Sequence, residues 1–558
     1  MSATILILVA IICFVLGYIF YGRFVANKLG IDPNRETPAH TMRDNVDYVP
    51  AKAPVLLGHH FASIAGAAPI IGPIVAAVFG WVPVFLWIIF GNIFIGAVHD
   101  FTSLIASIRH KGQSIGKIIE EQIGQKGKQL FLIFAWATLV LIIAAFTILV
   151  AKTFVSTPAV ATSSTLFIAL AVLFGLSIYR MKTSLAVATI VGVILLLICV
   201  WFGVKYPIVL SADAAQSQQI WSWILLVYIF IASVTPVWIL LQPRDYLNSF
   251  LLYLVLFGAL VGIVFKNPTI EFPAFTHFVD PKLGAMFPIL FVTVACGAIS
   301  GFHSLVASGT TAKQLNREAD AQPIGFGAML IEGLLAVIAL VTVAMLLKSD
   351  YSAKLAAEGP ISLFSNGVGS FVQKLGVPLH VGITFSALAV SAFALTSLDT
   401  ATRLGRFTFQ EFFRSDNQTP TQNFLTNRFI ATFFTIIPGG VLALSGSYTA
   451  IWPIFGAANQ LLAALALLAG SLWLAKKQQK NRFLRYPMYF MFAVTLSALI
   501  ILIYKKVQLI MNYYSAQSMD QSFSLTGTYF LAIIGILLFI VAIILVFEAY
   551  KKLAKSEK

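Results

Sequence analysis

The amino-acid sequence predicts an all-α, polytopic membrane protein with about fifteen transmembrane helices. Hydrophobic residues make up 59% of the 558 residues and charged residues only 11%, and a soluble chain of this length has no core large enough to bury so much apolar surface. Apolar runs long enough to cross about 30 Å of hydrocarbon recur along the chain. Two of these runs are interrupted in the same style by helix-breaking residues, which indicates a repeated architecture.

Fifteen apolar runs define the predicted helices. No basic segment precedes the first run and no small-residue cleavage motif follows it, so we expect a retained helix rather than a signal peptide. The three cysteines lie inside apolar runs, which indicates neither a disulfide framework nor a thiolate metal cluster. In chain order the runs are 3–22, 58–79, 82–108, 130–150, 164–178, 184–204, 220–241, 249–266, 284–301, 325–347, 377–397, 428–446, 449–474, 487–504 and 526–548.

The net charge of +15 is explained by membrane topology rather than by nucleic-acid binding. With the N-terminus outside, the C-terminus inside and one crossing for each run, the inner loops hold roughly three times as many Lys and Arg residues as the outer loops. If one helix had been missed, all later loops would change sides and the bias would be lost. The bias therefore supports both the segmentation and the orientation. The loops are too short to contain a soluble catalytic or sensing domain, and the chain is expected to form one membrane domain.

The two interruptions are AGAAP at Ala65–Pro69, in the second run, and ASVTP at Ala232–Pro236, in the seventh. Proline removes a backbone donor, and glycine tolerates angles that other residues resist. For either segment alone, a simple proline kink is an equally good interpretation. However, the two runs are five helices apart and cross the membrane in opposite directions, which is typical of inverted repeats whose breaks form a substrate site near the midplane.

An unwound segment in hydrocarbon persists only where protein, water or a ligand satisfies its backbone groups. Helix N-termini at the breaks offer free N–H groups to an anion, and the freed carbonyls suit a cation or a proton-bearing group. The small residues favour a compact anionic ligand, recognised by N–H groups and hydroxyls because no membrane-embedded arginine is expected beside it. The candidate substrate-binding residues are Ser63, Ala65, Gly66, Ala67, Ala68, Ser233 and Thr235.

Six longer motifs extend this interpretation, because over about residues 30–475 they resemble the carbon starvation protein A (CstA) family. The resemblance implies a bacterial inner-membrane transporter, induced when carbon is scarce, that imports peptides or, in some members, pyruvate with protons. It also implies the amino acid–polyamine–organocation superfamily and a LeuT-like fold of two inverted five-helix repeats. The motifs are GHHFASIAGAAPIIGPIVAAVFGW (58–81), GAVHDF (96–101), QPRDYLNSFLLY (242–253), ISGFHSLVASGTTAKQL (299–315), TSLDTATRLGRFTFQE (396–411) and WPIFGAANQLLAALAL (452–467).

Four segments are predicted on this basis. Residues 1–25 form an extra N-terminal transmembrane helix, and residues 26–57 form a cytoplasmic loop. Residues 58–397 form the LeuT-like transporter core, and residues 398–558 form accessory C-terminal transmembrane helices.

Titratable side chains inside apolar runs are costly and usually face the interior of a helix bundle. In the predicted orientation, five of them lie in the inner half of the membrane: His59, His60, His99, Asp100 and His303. Three interpretations stay open: hydrated histidines satisfied by carbonyls, a proton relay tuned by a carboxylate, or a His/Asp site for zinc or another transition metal. Because adjacent helical residues point about 100° apart, His99 and Asp100 are not expected to share one helix face.

Each of the other charged residues in or near the apolar runs has both a structural and a functional interpretation. Glu332 is a candidate proton carrier, because a carboxyl group buried without a cation is neutral at physiological pH; a hydrogen bond to a neighbouring helix is the alternative. Asp399 is four residues from Arg403, which favours an ion pair within one helix over an inner gate. Arg244 and Asp245 are expected to form an ion pair at the inner rim, with gating again as the alternative.

Ser300 and Ser304 are the remaining coupling candidates, since a spacing of four places them on one predicted helix face. In LeuT-like transporters the eighth core helix holds hydroxyls against the unwound first core helix to bind sodium. Counted from the second run, the ninth run is that helix. The resemblance therefore implies a sodium-type site or its remnant, and close packing of small residues is the alternative.

These observations predict a secondary active transporter, and not an enzyme, that imports a small carbon nutrient with protons or sodium. Pyruvate or a similar monocarboxylate is the first choice of cargo, and a short peptide is the alternative. The competing classes are an intramembrane His/Asp metal-dependent protein, a nutrient sensor and a channel. The predicted coupling residues are His59, His60, His99, Asp100, Ser300, His303, Ser304 and Glu332.

No cofactor is expected beyond the coupling ion, although a bound transition metal is one of the open interpretations. The expected partners are a small organic anion or short peptide and the lipid bilayer, with no nucleic acid. The oligomeric state is not indicated by the sequence. The predicted metal candidates are His59, His60, His99, Asp100 and His303, and the predicted gating residues are Arg244, Asp245, Asp399 and Arg403.

Overall fold

The computed structural model describes residues 1–44, 48–236, 239–415, 419–445, 448–515 and 525–556. Within these ranges the regular structure is helical apart from a small ribbon that pairs strands Val279–Asp280 and Gly284–Ala285. Short helices Pro38–Thr41, Ile115–Ile123 and Pro420–Leu425 lie in connecting segments. The principal helices are α1 (Ala3–Leu29), α2 (Ala53–Ile64), α3 (Ala68–Phe79), α4 (Trp81–Arg109), α5 (Gln125–Ser156), α6 (Pro158–Ile178), α7 (Leu185–Lys205), α8 (Ala214–Val234), α9 (Leu241–Lys266), α10 (Met286–Thr293), α11 (Gly301–Gly309), α12 (Glu318–Ala344), α13 (Lys348–Val372), α14 (Leu379–Phe413), α15 (Arg428–Ser445), α16 (Ala450–Lys476), α17 (Arg482–Tyr514) and α18 (Leu525–Lys551).

Thirteen helices of the described chain are long and apolar enough to cross a membrane, and the bent pair α2–α3 counts as a fourteenth span. The prediction of an all-α, multi-pass membrane protein is therefore confirmed. The number falls one short of the predicted fifteen because the run 284–301 does not form one helix. It is divided between α10 and α11, each of which is too short to cross hydrocarbon alone.

The first predicted break, at Ala65–Pro69, is confirmed. α2 ends at Ile64 and α3 begins at Ala68, with a bend of 44° between them. Ala65 leaves the helical region at φ −76° and ψ 61°, so the regular pattern of helix hydrogen bonds stops there. The break lies near the middle of the segment 53–79, and every residue from 58 to 74 is buried.

The second predicted break, at Ala232–Pro236, is wrong. α8 ends at Val234, so this segment is the end of a span and the start of the connection to α9. Arg403 and Arg406 of α14 donate hydrogen bonds to its backbone carbonyls and so satisfy the end of the helix. The proline terminates a helix here and does not interrupt one.

The second break lies instead between α10 and α11, where residues 294–300 are non-helical and buried. This segment packs directly on the first broken helix. A Cβ atom added to Gly72 of α3 would lie 2.6 Å from the carbonyl oxygen of Thr293, and one added to Gly297 would lie 3.8 Å from Cα of Pro69. The two interrupted segments are therefore in contact at their breaks.

The helices around the breaks support them in a crossed arrangement. α4, which follows the first break, packs against α11, whereas α12, which follows the second break, packs against α3. The long helices α5 and α14 pack along each other beside them. Each broken segment is thus supported by the helix that comes after the other one.

α13 is not among the candidate spans and covers the end of α3. Its residue Tyr351 is buried, and the hydroxyl donates a hydrogen bond to the carbonyl oxygen of Ile74 at 2.8 Å. Burial raises the pKa of Tyr351, so the phenol keeps its proton and remains a donor to the last turn of α3.

The substitution Gly72→Ala tests the contact between the two broken segments. The new methyl group would lie 2.6 Å from a backbone carbonyl oxygen, so we expect the free energy of unfolding to fall by about 1–3 kcal/mol. Gly327→Ala is the matched control, because the nearest atom to its Cβ would be 3.5 Å away. Thermal unfolding of the detergent-purified proteins measures both effects. Equal melting temperatures for the two variants would contradict the contact.

Candidate transport site and its ionisable clusters

The second break is held open by two adjacent amide side chains of α16. Asn459 accepts a hydrogen bond from the backbone N–H of Phe302 at 2.8 Å and donates one to Ser300 Oγ at 2.9 Å. Gln460 donates to the carbonyl oxygen of Phe291 at 2.7 Å. Neighbouring residues on one helix therefore satisfy both the start of α11 and the end of α10.

α4 supplies further partners for the same break. Asn92 donates to the carbonyl oxygen of Gly297 at 3.1 Å, and Trp87 Nε1 donates to that of Val294 at 3.3 Å. An unsatisfied backbone group in hydrocarbon costs several kcal/mol, so these side chains stabilise the unwound segment 294–300. The second break is supported by the protein itself.

The first break lacks such partners. Within the described part of the chain, the buried backbone N–H groups of Ala67 and Ala68 have no hydrogen-bond acceptor, and the buried hydroxyls of Ser63 and Ser397 have no partner. A Cβ atom at Gly66 would lie 2.6 Å from Ser397 Oγ, so α14 brings that hydroxyl onto the break. These five residues are named the break site. Free donors at the N-terminus of a helix are the arrangement that binds an anion.

Five of the seven predicted substrate residues lie at or next to this break: Ser63, Ala65, Gly66, Ala67 and Ala68. The other two do not. Ser233 Oγ lies 3.2 Å from Thr432 Oγ1, and Thr235 Oγ1 donates to a carbonyl of its own helix α8. Arg403, which caps α8, is about 9 Å along α14 from Ser397. Sequence reasoning missed Ser397, because nothing local in the sequence places it over Gly66.

A buried cluster of ionisable groups joins α4, α11 and α12. Asp100 lies between two histidines, with Oδ1 at 2.7 Å from His99 Nδ1 and Oδ2 at 2.8 Å from His303 Nδ1. Nε2 of His303 lies 3.5 Å from Glu332 Oε2. All four side chains are fully buried, and they are named the acid–histidine cluster. Glu332 was predicted without a cation nearby in the sequence, and the structure places the imidazole of His303, which is distant in sequence, beside it.

The structure corrects the expectation that His99 and Asp100 point apart. Their Cβ atoms diverge around the helix, but the side-chain torsions bring Nδ1 and Oδ1 within hydrogen-bond distance. His60 stands beside this cluster. Its Nδ1 lies 2.8 Å from Thr311 Oγ1, and it is within electrostatic range of Asp100 and His303.

The predicted metal candidates do not converge as one set. Among the described residues, the donor atoms that do converge belong to Cys296, His303 and Glu332, and they all lie within 4.8 Å of one another. Of these three residues, only His303 was among the metal ligands predicted from the sequence. His59 and His60 face other partners, and the position of Cys296 inside an apolar run had not indicated a thiolate metal cluster.

A second buried set of charges joins α2, α8, α9 and α14. Arg244 forms ion pairs with Asp399 and, at 3.0 Å, with Asp245. The Tyr228 hydroxyl donates to Asp399 at 2.7 Å and accepts from Arg244 at 2.6 Å. His59 Nδ1 lies 3.4 Å from Asp245 Oδ2. These five residues are named the ion-pair network.

This network overturns the predicted pairing of Asp399 with Arg403. Asp399 pairs with Arg244 from another helix, and Arg403 is directed to the end of α8. The Arg244–Asp245 contact exists as predicted, but both side chains are buried among four helices and do not lie at a solvated rim. Tertiary packing has replaced the local i, i+4 pair.

Ser300 and Ser304 do not share a helix face, in contrast to the prediction. Ser300 is an extended residue at φ −140° and ψ 127° before α11, whereas Ser304 lies inside that helix. The Ser300 hydroxyl bonds Asn459, and the Ser304 hydroxyl donates to the carbonyl of Gly301 at 2.7 Å. Both hydroxyls are used in holding the break and the first turn of α11.

Comparisons with known proteins point to one family. A sequence model of the family "Carbon starvation protein CstA" matches residues 2–357 and 350–498. The peptide transporter CstA of Campylobacter jejuni is 34% identical over 85% of this chain and 76% of its own length, and that of Bacillus subtilis is 32% identical over 87% of each chain. The pyruvate/proton symporter BtsT of Escherichia coli is 30% identical over 86% of this chain and 78% of its own.

A solved transporter structure has a remote structural similarity to this chain. A manganese transporter from Eremococcus coleocola aligns over 91% of this chain and 99% of its own with a TM-score of 0.41 and 12% sequence identity. A likeness at this level assigns neither fold nor cargo.

A double-mutant cycle tests the partner of Asp399. Asp399→Asn leaves the buried Arg244 guanidinium without its main counter-charge, so we expect a loss of about 3–5 kcal/mol of unfolding free energy. Combined with Arg244→Gln, the two effects should be coupled by roughly 0.5–3 kcal/mol. The effects of Asp399→Asn and Arg403→Gln on the unfolding free energy should instead be additive. Thermal unfolding measures these coupling energies. If Asp399→Asn were coupled to Arg403→Gln and not to Arg244→Gln, Asp399 would pair with Arg403 and the ion-pair network would be refuted.

Proposed function

Because this chain belongs to the carbon starvation protein CstA family of transporters, we propose that it imports a small carboxylate-bearing nutrient by proton-coupled secondary active transport. Short peptides are the first choice of cargo, since most of the similar relatives are named peptide transporters. This choice reverses the order predicted from the sequence. Pyruvate is the second candidate, because one relative is named a pyruvate/proton symporter.

The observation that carries the proposal is the unsatisfied break site. Its two free N–H groups and two free hydroxyls are buried, and each lacks a partner within the described residues. Leaving such groups unpaired costs about 1–3 kcal/mol each. A carboxylate, which both a peptide and pyruvate contain, accepts hydrogen bonds from these donors and meets the positive end of α3. Cargo thus replaces the missing protein partners.

We infer a LeuT-like core, and with it the amino acid–polyamine–organocation superfamily. The first repeat would contain α2–α3, α4, α5, α8 and α9, and the second α10–α11, α12, α14, α15 and α16. The hairpin α6–α7 and the helix α13 would be insertions. The crossed packing of α4 on α11 and α12 on α3 supports this scheme, because a two-fold axis between repeats exchanges these pairs. The core then continues past residue 397, to the end of α16.

We place proton coupling in the ion-pair network. His59 belongs to the broken pair α2–α3, whereas its neighbour Asp245 belongs to α9. The separation of 3.4 Å is longer than a good charged hydrogen bond. A proton on His59 creates an ion pair that draws α2 towards α9, and its loss releases that contact. The other ionisable groups near this pair are Arg244 of α9, Asp399 of α14 and the adjacent His60.

The location follows from the family and from the charge bias. The relatives are bacterial proteins, and the inner loops are predicted to be rich in Lys and Arg. We therefore infer the bacterial cytoplasmic membrane, with α10 and α11 together crossing it as a fifteenth, broken span, so that the N-terminus lies outside and the C-terminus inside.

Uptake into proteoliposomes tests the proposed function. An inward proton gradient should drive a labelled dipeptide to a higher concentration inside than outside, and a protonophore should abolish this accumulation. Labelled pyruvate, assayed in parallel, identifies the second candidate. A sodium gradient alone should drive neither cargo. Equilibration without accumulation would indicate a channel, chemical change of the cargo would indicate an enzyme, and either result would overturn the proposal.

Ser63→Ala and Ser397→Ala test the break site. Each removes one hydrogen-bond donor to cargo, so we expect the KM for uptake to rise roughly 2- to 12-fold. Their melting temperatures should stay unchanged, because neither hydroxyl has a partner in the described structure. Ser164→Ala is the control, since that hydroxyl is also buried and unpaired but lies in α6. An unchanged KM in both break-site variants would show that cargo binds elsewhere.

His59→Gln tests the coupling mechanism. The variant keeps a side chain of similar size but carries no proton near neutral pH, so proton-driven accumulation should be lost while exchange of cargo across the membrane continues. His277→Gln is the control, because His277 pairs with Asp280 of the small ribbon and contacts Phe79 at the end of α3, not a residue of the network. Accumulation ratios at several imposed pH gradients distinguish the two variants. Full accumulation of cargo by the His59→Gln variant would show that His59 is not needed for proton coupling.

A further inference from the structure

We propose that Cys296, His303 and Glu332 bind one divalent transition-metal ion of the zinc class. Cys296 lies within the second break, His303 in α11 and Glu332 in α12. The ion would therefore join the unwound segment to two helices. The proposal does not depend on the transport mechanism, because metal binding is measured without cargo and without a gradient.

The separation of the donor atoms fits a shared ion. His303 Nε2 and Glu332 Oε2 lie 3.5 Å apart, and two such ligands of a tetrahedral zinc ion are roughly 3.3 Å apart. The donor atom of Cys296 completes a set in which every pair is within 4.8 Å.

The orientation of His303 leaves the correct nitrogen for a metal. Its Nδ1 lies 2.8 Å from Asp100 Oδ2, and an Nδ1–H donor to that carboxylate leaves the lone pair on Nε2. Carboxylate–histidine–metal triads use this arrangement to fix the ring and its tautomer. His99, at 2.7 Å from the other oxygen of Asp100, holds the carboxylate in place. Asp100 thus acts as a positioning residue for His303.

Three buried atoms at this point have no hydrogen-bond partner within the described residues: His303 Nε2 and both carboxylate oxygens of Glu332. Their residues are fully buried. A proton shared between the imidazole and the carboxylate would hold the nitrogen and oxygen at about 2.7–2.9 Å, which is much shorter than the observed 3.5 Å. The longer separation leaves room for an ion between them.

The charges of the site also suit a divalent cation. Among the three ligands, a thiolate and a carboxylate contribute two negative charges and the histidine is neutral, so a divalent ion balances the ligand set in an apolar interior where a net charge is costly. Sulfur, nitrogen and oxygen ligands together favour zinc over the hard cations magnesium and calcium. The Asn459 amide donates a hydrogen bond to Cys296 Sγ at 3.8 Å. Three protein ligands leave one coordination position open.

Cobalt substitution tests the site directly. The full-length protein is produced in medium in which cobalt replaces zinc, purified in detergent without chelators, and examined by metal analysis and absorption spectroscopy. We expect about one cobalt per chain, with a thiolate-to-cobalt charge-transfer band and the intense visible bands of tetrahedral cobalt. Cys296→Ser should lose the charge-transfer band, and Glu332→Gln should lower the cobalt content at least several-fold.

Cys199→Ser is the matched control, because Cys199 is a partly buried cysteine of α7 outside the cluster, and it should keep both signals. Size-exclusion profiles confirm that each variant is folded. Wild-type protein that contains no stoichiometric cobalt, or a charge-transfer band that survives Cys296→Ser, would overturn the proposal. The wild-type measurement decides the question even where a variant does not fold. Failure of the uptake assay would leave this result unaffected.

Discussion

The structure depends on one constraint: in an apolar surrounding, every backbone N–H and C=O group needs a partner. The chain interrupts two helices that lie against each other, and it treats the two interruptions differently. At the break between α10 and α11, side chains of Asn459, Gln460, Asn92 and Trp87 satisfy the exposed backbone. At the break between α2 and α3, buried donors remain without a partner in the described residues. We interpret the second break as a supporting element and propose the first as the binding element.

This division of roles organises the rest of the molecule. α16 and α4 fix the second break, and the proposed metal ion would bind that segment to α12. The contact proposed to change at the first break is that of His59 on α2 with Asp245 on α9, at 3.4 Å, while Arg244 and Asp399 join α9 to α14. A transporter needs one element that stays and one that moves. On the proposed mechanism α2–α3 is the moving element, and cargo and a proton are the ligands that change its contacts.

Much of this architecture could be predicted from local patterns. Every apolar run except 284–301 coincides with a helical span, and Gly66 and Pro69 marked the first break because helix breakers are conspicuous in an apolar run. The second break was missed because it contains no proline and its partners come from distant helices. The amides of Asn92 and Asn459 were an unused signal, since an amide in an apolar run must bond something buried. Pairings such as Arg244 with Asp399 depend on tertiary packing, so the local i, i+4 rule was misleading.

The central claim is that cargo completes the backbone of the first break and not of the second. Hydrogen–deuterium exchange of the purified protein, with and without a saturating dipeptide or pyruvate, measures this at the amides themselves. The account predicts that exchange at Ala67 and Ala68 slows when cargo binds, while exchange across 294–302 stays the same. Unchanged exchange at Ala67 and Ala68 under saturating cargo, or equal slowing at both breaks, would contradict it.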